Sequence, residues 1–194
     1  MEIQVLQLGM LQTNCYIAWG ENTEKCVVVD PGDEPERVIA ALDRLGRSPE
    51  AILLTHGHFD HIGGVPVLQE QYGCPVYLCE EDLTLPTRMT GGSLSGTTHY
   101  EEGDVLALAG LRIKVMQTPG HTPGSVCLIC EGVMFSGDTL FAGSIGRTDF
   151  PGSDHRQMMQ SLWKLASLPE NYRVLPGHAE ETTLDEERRS NPFL

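Results

Sequence analysis

Leu54-Thr55-His56-Gly57-His58-Phe59-Asp60-His61 places three histidines and one aspartate within six positions. Four such side chains are poor core material, because imidazole and carboxylate are costly to bury without partners. A divalent metal satisfies all of them at once, since neutral imidazole and carboxylate are ligands that borderline metals prefer. The apolar run Ala51–Leu54 before them suits a buried strand. With the chain still extended, His56 and His58 point to one side and Gly57 lets the backbone bend between them. Asp60 and His61 follow as the chain turns into a helix near Gly63-Gly64. The loop therefore offers two groups of ligands in different directions, which suits two ions better than one. A histidine-rich surface loop is the plain alternative, but it does not account for the apolar strand leading into the motif.

The same pattern recurs outward from this stretch. Short apolar runs end in loops holding His or Asp beside Gly or Pro at 54–61, 116–121, 135–138 and 175–178. Five of the seven histidines lie in these loops; His99 and His155 fall outside. Strand ends hold functional groups rigidly in α/β scaffolds. Converging loops would bring together His56, His58, Asp60, His61, His121, Asp138 and His178. Asp30 ends another β-branched run, 26–29, and reads either as a turn residue capping its own backbone or as an acceptor that orients a ligand histidine.

Around these loops the sequence predicts strands at 2–8, 14–19, 26–29, 51–54, 75–79, 111–116, 125–130, 133–136 and 172–175. Helices are predicted over 35–45, from the histidine loop to Tyr72, over 154–167 with Asp154 as N-cap, and over 183–189. Residues 84–100, rich in Gly, Ser and Thr, read as a loop covering a site or as a surface excursion. Phe150 reads as core or loop packing rather than as a substrate wall. At 194 residues the chain is expected to form one domain, 1–194.

Net charge is −14, with 27 acidic against 13 basic residues. That argues against nucleic acid and against a polybasic membrane contact. The start Met1-Glu2-Ile3-Gln4 has no signal-peptide character, so a cytoplasmic protein is expected. The six cysteines read as reduced and buried, and Cys127 and Cys130 as opposite faces of one strand rather than a redox pair.

VVVDPG (27–32), THGHFDH (55–61), TPGHTPGS (118–125), FSGDTLF (135–141) and LPGH (175–178) together resemble the metallo-β-lactamase superfamily, in order and in spacing. The resemblance implies a four-layered αβ/βα sandwich of two mixed β-sheets flanked by helices. It implies that His56, His58 and His121 bind one metal, that Asp60, His61 and His178 bind a second, and that Asp138 bridges them. Asp138 together with His61 is similar to the glyoxalase II (hydroxyacylglutathione hydrolase) branch, as are the segments 143–152 and 186–194 of its short bacterial members. The implied cofactors are two divalent ions, zinc first, with Fe or Mn suiting the same ligands. The implied reaction is hydrolysis of a small anionic thioester by a metal-bridging hydroxide, with Asp60 orienting the nucleophile or handling its proton. Full-length glyoxalase II carries a further C-terminal helical domain whose basic residues hold glutathione. A chain without it is expected here, with Arg147 either standing in for one basic contact or serving as a surface ion-pair partner. The GRTDF segment at 146–150 also resembles persulfide dioxygenases of the same fold, which use a single iron held by residues matching His56, His121 and Asp138.

Overall fold

The apolar runs 26–29 and 51–54 are continuous rather than alternating because both faces of their strands are covered. In the computed structural model, which describes residues 1–92 and 96–194, they belong to strands β3 (Lys25–Val29) and β4 (Ser48–Leu53). Val27, Val29, Ala51 and Leu53 face one core, while Cys26, Val28 and Ile52 face another. These strands sit at the centre of a sheet ordered β1 (Glu2–Leu8), β2 (Thr13–Trp19), β3, β4, β5 (Val76–Leu78), β6 (Thr97–His99). Pairing is antiparallel from β1 to β3 and parallel from β3 to β6.

The second half of the chain builds a second mixed sheet. Its strands are β7 (Val105–Leu108), β8 (Leu111–Gln117), β9 (Val126–Cys130), β10 (Val133–Gly137) and, beyond a short hairpin of β11 (Leu140–Phe141) and β12 (Ser144–Ile145), β13 (Arg173–Pro176) and β14 (Thr182–Thr183). They lie in the order β7-β8-β9-β10-β13-β14, with β10 and β13 parallel.

The sheets pack face to face over Tyr16, Val29, Leu53, Val115, Leu128, Phe135 and Leu175, and the Tyr16 and Phe135 rings meet at 5.3 Å. Helices α1 (Pro35–Leu45), α2 (Phe59–Ile62) and α3 (Val65–Tyr72) follow β3 and β4 in the first half, and Val38, Leu42, Val65 and Leu68 join Ile17, Val28 and Ile52 in a core on its outer face. After the 3-10 turn Glu80–Thr84 and the short α4 (Thr87–Thr90), the chain crosses to the second sheet. Helices α5 (His155–Ala166) and α6 (Leu184–Ser190) cover that sheet, with Met158, Leu162 and Leu165 against Met134 and Val174. This is the four-layered sandwich of two mixed β-sheets that the motifs implied.

Asp154 caps α5 as expected, accepting from Arg156 N at 2.8 Å and Gln157 N at 3.0 Å. Cys127 faces α5 and Cys130 faces the inter-sheet core, and all six cysteines are free and buried. Three expectations need correction. The helix after the histidine motif is broken at Gly63-Gly64 into α2 and α3. The segment 84–100 is not a plain loop: it carries α4 and the edge strand β6, with residues 93–95 outside the described residues. The strands β7, β11, β12 and β14 were not foreseen, being short or half-exposed. Among the described residues no helix is long and apolar enough to cross a membrane.

Candidate metal centre

Each anticipated site residue lies at or just beyond the carboxyl end of a strand, and the two sheets bring those ends together. Asp30 follows β3, His56 to His61 follow β4, His121 follows β8, Asp138 follows β10 and His178 follows β13. Three trios of donor atoms form there, each within 4.8 Å of one another: His56, His58 and His121; His56, His61 and Asp138; and Asp60, His61 and His178. Gly177 allows this gathering, because a Cβ at that position would lie 2.3 Å from Asp138 Oδ1 and 2.6 Å from His61 Cε1.

Hydrogen bonds behind the imidazoles fix which nitrogen faces the centre. His121 Nδ1 donates to the Arg147 carbonyl at 2.8 Å, leaving Nε2 bare and 2.9 Å from His58 Nδ1. His61 Nδ1 donates to Asp30 Oδ2 at 3.0 Å, and His178 Nδ1 donates to the Leu11 carbonyl at 3.2 Å. Thr55 Oγ1 donates to Asp30 Oδ2 at 2.6 Å and so accepts from His56 Nδ1 at 3.2 Å. Asp30, buried at the end of β3, is thereby bonded to His61 directly and to His56 through Thr55. It adopts φ 50°, a left-handed conformation that Asp tolerates better than most residues.

With His56, His61, His121 and His178 as neutral rings in these tautomers, their inward nitrogens and the carboxylate oxygens are all acceptors. His61 Nε2 lies 3.4 Å from Asp138 Oδ1 and 3.4 Å from His178 Nε2, and His178 Nε2 lies 3.2 Å from Asp60 Oδ2. Asp138 Oδ2 lies 3.4 Å from His121 Nε2. His56 Nε2 and Asp138 Oδ1 are buried without a hydrogen-bond partner. Bare lone pairs this close repel unless cations or protons stand between them, so the donor set fits metal ions.

The electrostatics divide the centre in two. Burial pushes His56 well below its ordinary value, His58 down to about 4, and His121 down as well. These three are neutral at physiological pH, as ligands must be. Burial also opposes charge on His61, but Asp138, Asp30 and Asp60 outweigh it and raise the imidazole to about 9. His178 is raised likewise: burial lowers it, and Asp60 and Asp138 prevail. Burial pushes the Asp60 carboxyl up, yet the His178 hydrogen bond and the charge of His61 hold it well below the usual carboxylate range. The second group thus holds protons where a metal would sit.

The centre opens into a cavity of about 450 Å³ with Leu11, Phe59, Met89, Phe141, Ile145 and Phe150 around the ligand atoms. Phe150 stands edge-on to His58 at 5.7 Å, so it walls the site rather than packing elsewhere. Arg147 also lines the cavity, stacked 3.9 Å above the Phe150 ring. Its guanidinium is exposed and doubly bonded to Asp149 at 2.8 Å, the surface ion pair that was one of its two readings.

Sequence reading missed Asp82, Thr55 and the residues that seat the His178 loop. Tyr16 Oη donates to the Pro176 carbonyl at 2.6 Å, and Asn14 Nδ2 donates to the Pro176 and Ala179 carbonyls at 3.0 and 2.9 Å. The one signal for Asp82 was its place just after a short strand; within Glu80-Glu81-Asp82 it reads as a solvated acidic run.

A family model described as the metallo-β-lactamase superfamily matches residues 8–178. The chain belongs to this superfamily. Within it, the hydroxyacylglutathione hydrolase GloC of Haemophilus influenzae is 34% identical over 209 residues, covering 100% of this chain and 98% of that protein. Among solved metallo-β-lactamase-fold structures, the BLEG-1 B3 metallo-β-lactamase aligns at 39% identity and a TM-score of 0.90, over 100% of this chain and 99% of the other. TTHA1623 in a di-iron-bound form aligns at 42% identity and a TM-score of 0.86, over 98% and 100%. The chain is thus a metal-binding member of a metallo-hydrolase superfamily with a His/Asp site.

Proposed function

We propose that this protein is a dinuclear metal-dependent hydrolase of small thioesters, of the hydroxyacylglutathione hydrolase type. The observation that carries the reading is Asp138, whose two oxygens reach the two halves of the centre at 3.4 Å from His121 Nε2 and 3.4 Å from His61 Nε2. His56, His58 and His121 would hold the first ion, Asp60, His61 and His178 the second, with Asp138 shared. The full-length similarity to GloC supports the thioester class. Zinc suits the donor set, and the di-iron form of TTHA1623 keeps iron beside it, with manganese as a third choice.

When bound, the pair of ions supplies water activated at neutral pH and Lewis acidity toward a carbonyl. The chain's own residues do the rest. Asp60 would accept a hydrogen bond from the attacking water and orient it, or handle its proton. The His178 imidazole is held by the Leu11 carbonyl behind it and by Asp60 in front. Phe150, Phe141 and Ile145 would exclude bulk water from the acyl group. Arg147, with its charge shared with Asp149, gives a substrate anion at most one free amine face.

Metal analysis of the purified protein, followed by thiol release from acylglutathione and acyl-CoA thioesters, tests this. Two bound ions with turnover of at least one thioester are expected. Two ions and no thioester cleavage would sink it. A β-lactam belongs in the same screen, given the BLEG-1 likeness. Oxygen uptake with glutathione persulfide by a one-iron protein would instead establish the alternative, a mononuclear iron persulfide dioxygenase.

A further inference from the structure

Asp82 is no part of the ligand set, yet its side chain joins the two loops that carry His56, His58 and His121. It is 1% exposed and sits in the 3-10 turn after β5. Gly57 N, between His56 and His58, donates to Oδ2 at 2.7 Å. Thr122 Oγ1, beside His121, donates to the same oxygen at 2.8 Å. Gly124 N donates to Oδ1 at 2.6 Å. One loop ends a strand of the first sheet and the other ends a strand of the second, so a single carboxylate spans the sandwich at the ligand end. Gly124 makes the approach possible, because a Cβ there would lie 2.8 Å from Asp82 Oδ1.

A buried carboxylate is an expensive way to tie loops. Burial pushes Asp82 up to about 6 even though three hydrogen bonds pull it down. Apolar packing could join two loops at less cost, but it would not fix their spacing to a fraction of an ångström. Hydrogen bonds to a charged acceptor are short and directional, and three of them converge here from the backbone and hydroxyl groups adjoining the ligands.

We propose that Asp82 is a positioning residue for the first metal: it sets the separation between the His56–His58 pair and His121 so that three imidazole nitrogens meet at one ion. This rests on the metal reading of those histidines. It predicts an effect on one ion and not on the other, since Asp60, His61 and His178 are reached through Asp30, Leu11 and Asp138. Asn at this position keeps the size but turns an NH2 toward groups that are themselves donors.

The test is metal affinity of the full chain with Zn(II) and Co(II) alone, resolved into two dissociation constants by competition with a chromophoric chelator. His58→Ala and His61→Ala assign the two sites. Asp82→Asn is expected to weaken the His58-dependent site by about 10- to 100-fold and to alter its Co(II) absorption. The His61-dependent site should change by less than about threefold, and the metal-free melting temperature should fall little. Thr122→Val removes one donor and leaves the charge; a smaller loss at the same site is expected, and this variant decides the matter if Asp82→Asn does not fold. Parent affinity at both sites would overturn the proposal. So would equal weakening of both sites with a lowered metal-free melting temperature, the mark of a merely structural role. The readout is affinity, so an inactive protein that binds two ions would fail the thioester reading separately.

Discussion

Replacing Asp30 by Asn should cost the second ion selectively, through a change of tautomer. Asp30 accepts three hydrogen bonds: Thr55 N to Oδ1 at 2.8 Å, Thr55 Oγ1 to Oδ2 at 2.6 Å, and His61 Nδ1 to Oδ2 at 3.0 Å. With Asn, the amide oxygen keeps the Thr55 N–H and the NH2 takes the place of Oδ2. His61 Nδ1 then faces a donor and must accept, which moves the ring proton to Nε2. That nitrogen is the one facing Asp138 and His178 at 3.4 Å, and a protonated nitrogen cannot ligate. Holding the original tautomer forfeits a hydrogen bond to a charged group, about 1.5–3 kcal/mol, or roughly 10- to 150-fold in affinity. His56 is reached only through the Thr55 hydroxyl, which can still accept from Nδ1 after it loses its own acceptor, so the first site should weaken far less. Chelator competition with Asp30→Asn at pH 7.5 measures both constants. Two ions bound at parent affinity, or loss of the first site before the second, would refute this reasoning.

Gly177→Ala should abolish tight binding of the second ion and leave a folded protein, because the new methyl enters the ligand cluster 2.3 Å from Asp138 Oδ1; metal stoichiometry and far-UV circular dichroism check it. Arg147→Ala should raise KM for acidic thioesters by no more than about tenfold and leave kcat nearly unchanged, since the guanidinium is exposed and already paired with Asp149; steady-state kinetics decide. In chelator-treated protein, His61 with its value raised to about 9 contributes stability that is complete below its unfolded value of about 6.5. That contribution is lost as pH rises from about 6.5 through 9, by up to about 3 kcal/mol. His178, raised in the same direction, adds to the loss, and Asp82, raised to about 6, adds the last part of its own titration at the acid end of the window. Urea melts of the metal-free protein at the two ends of that window should show the decline, and equal stability at both would contradict it.

What could be read in advance depended on whether the signal was local. Strands β3 and β4 were legible because burial on both faces writes an unbroken apolar run into the sequence. The residues that gather at the candidate centre were legible because a strand ending in His or Asp beside Gly leaves little else for those side chains to do. Asp82 was not, since its donors Gly57, Thr122 and Gly124 lie 25, 40 and 42 positions away and nothing near residue 82 announces them. Strand β6 was hidden for a different reason: Thr97-Thr98-His99 is a polar, largely exposed edge with no alternation, held by parallel pairing to β5. The place of Phe150 in the cavity wall was equally hidden, because apart from Arg147 in its own segment its ring meets His58 and His121, which are distant in the sequence.

Both halves of the centre draw ligands from both sheets, so metal could be either the staple that closes the sandwich or a guest in a finished site. The hydrogen bonds favour the guest. Val126 N donates to the Thr55 carbonyl at 2.9 Å, which joins the end of β4 to the start of β9 without any ligand atom. Asn14 N donates to the Gly177 carbonyl at 2.8 Å, and Gly177 N donates to the Gly137 carbonyl at 2.9 Å, seating the His178 loop between the sheets. Tyr100 Oη donates to the Leu54 carbonyl directly before the histidine motif. With the loops held in this way, stripping the ions should leave secondary structure and core packing in place. The loss should appear as mass-action destabilisation, about 4 kcal/mol for each site kept at a thousandfold its dissociation constant. For a chain of this size that amounts to a fall in Tm of about 15–30 °C for two ions. Thermal melts with and without chelator, read by near-UV circular dichroism, measure it. Loss of the near-UV signal at 25 °C on chelation would mean that the metal builds the site, and the preorganisation argued from these bonds would be wrong.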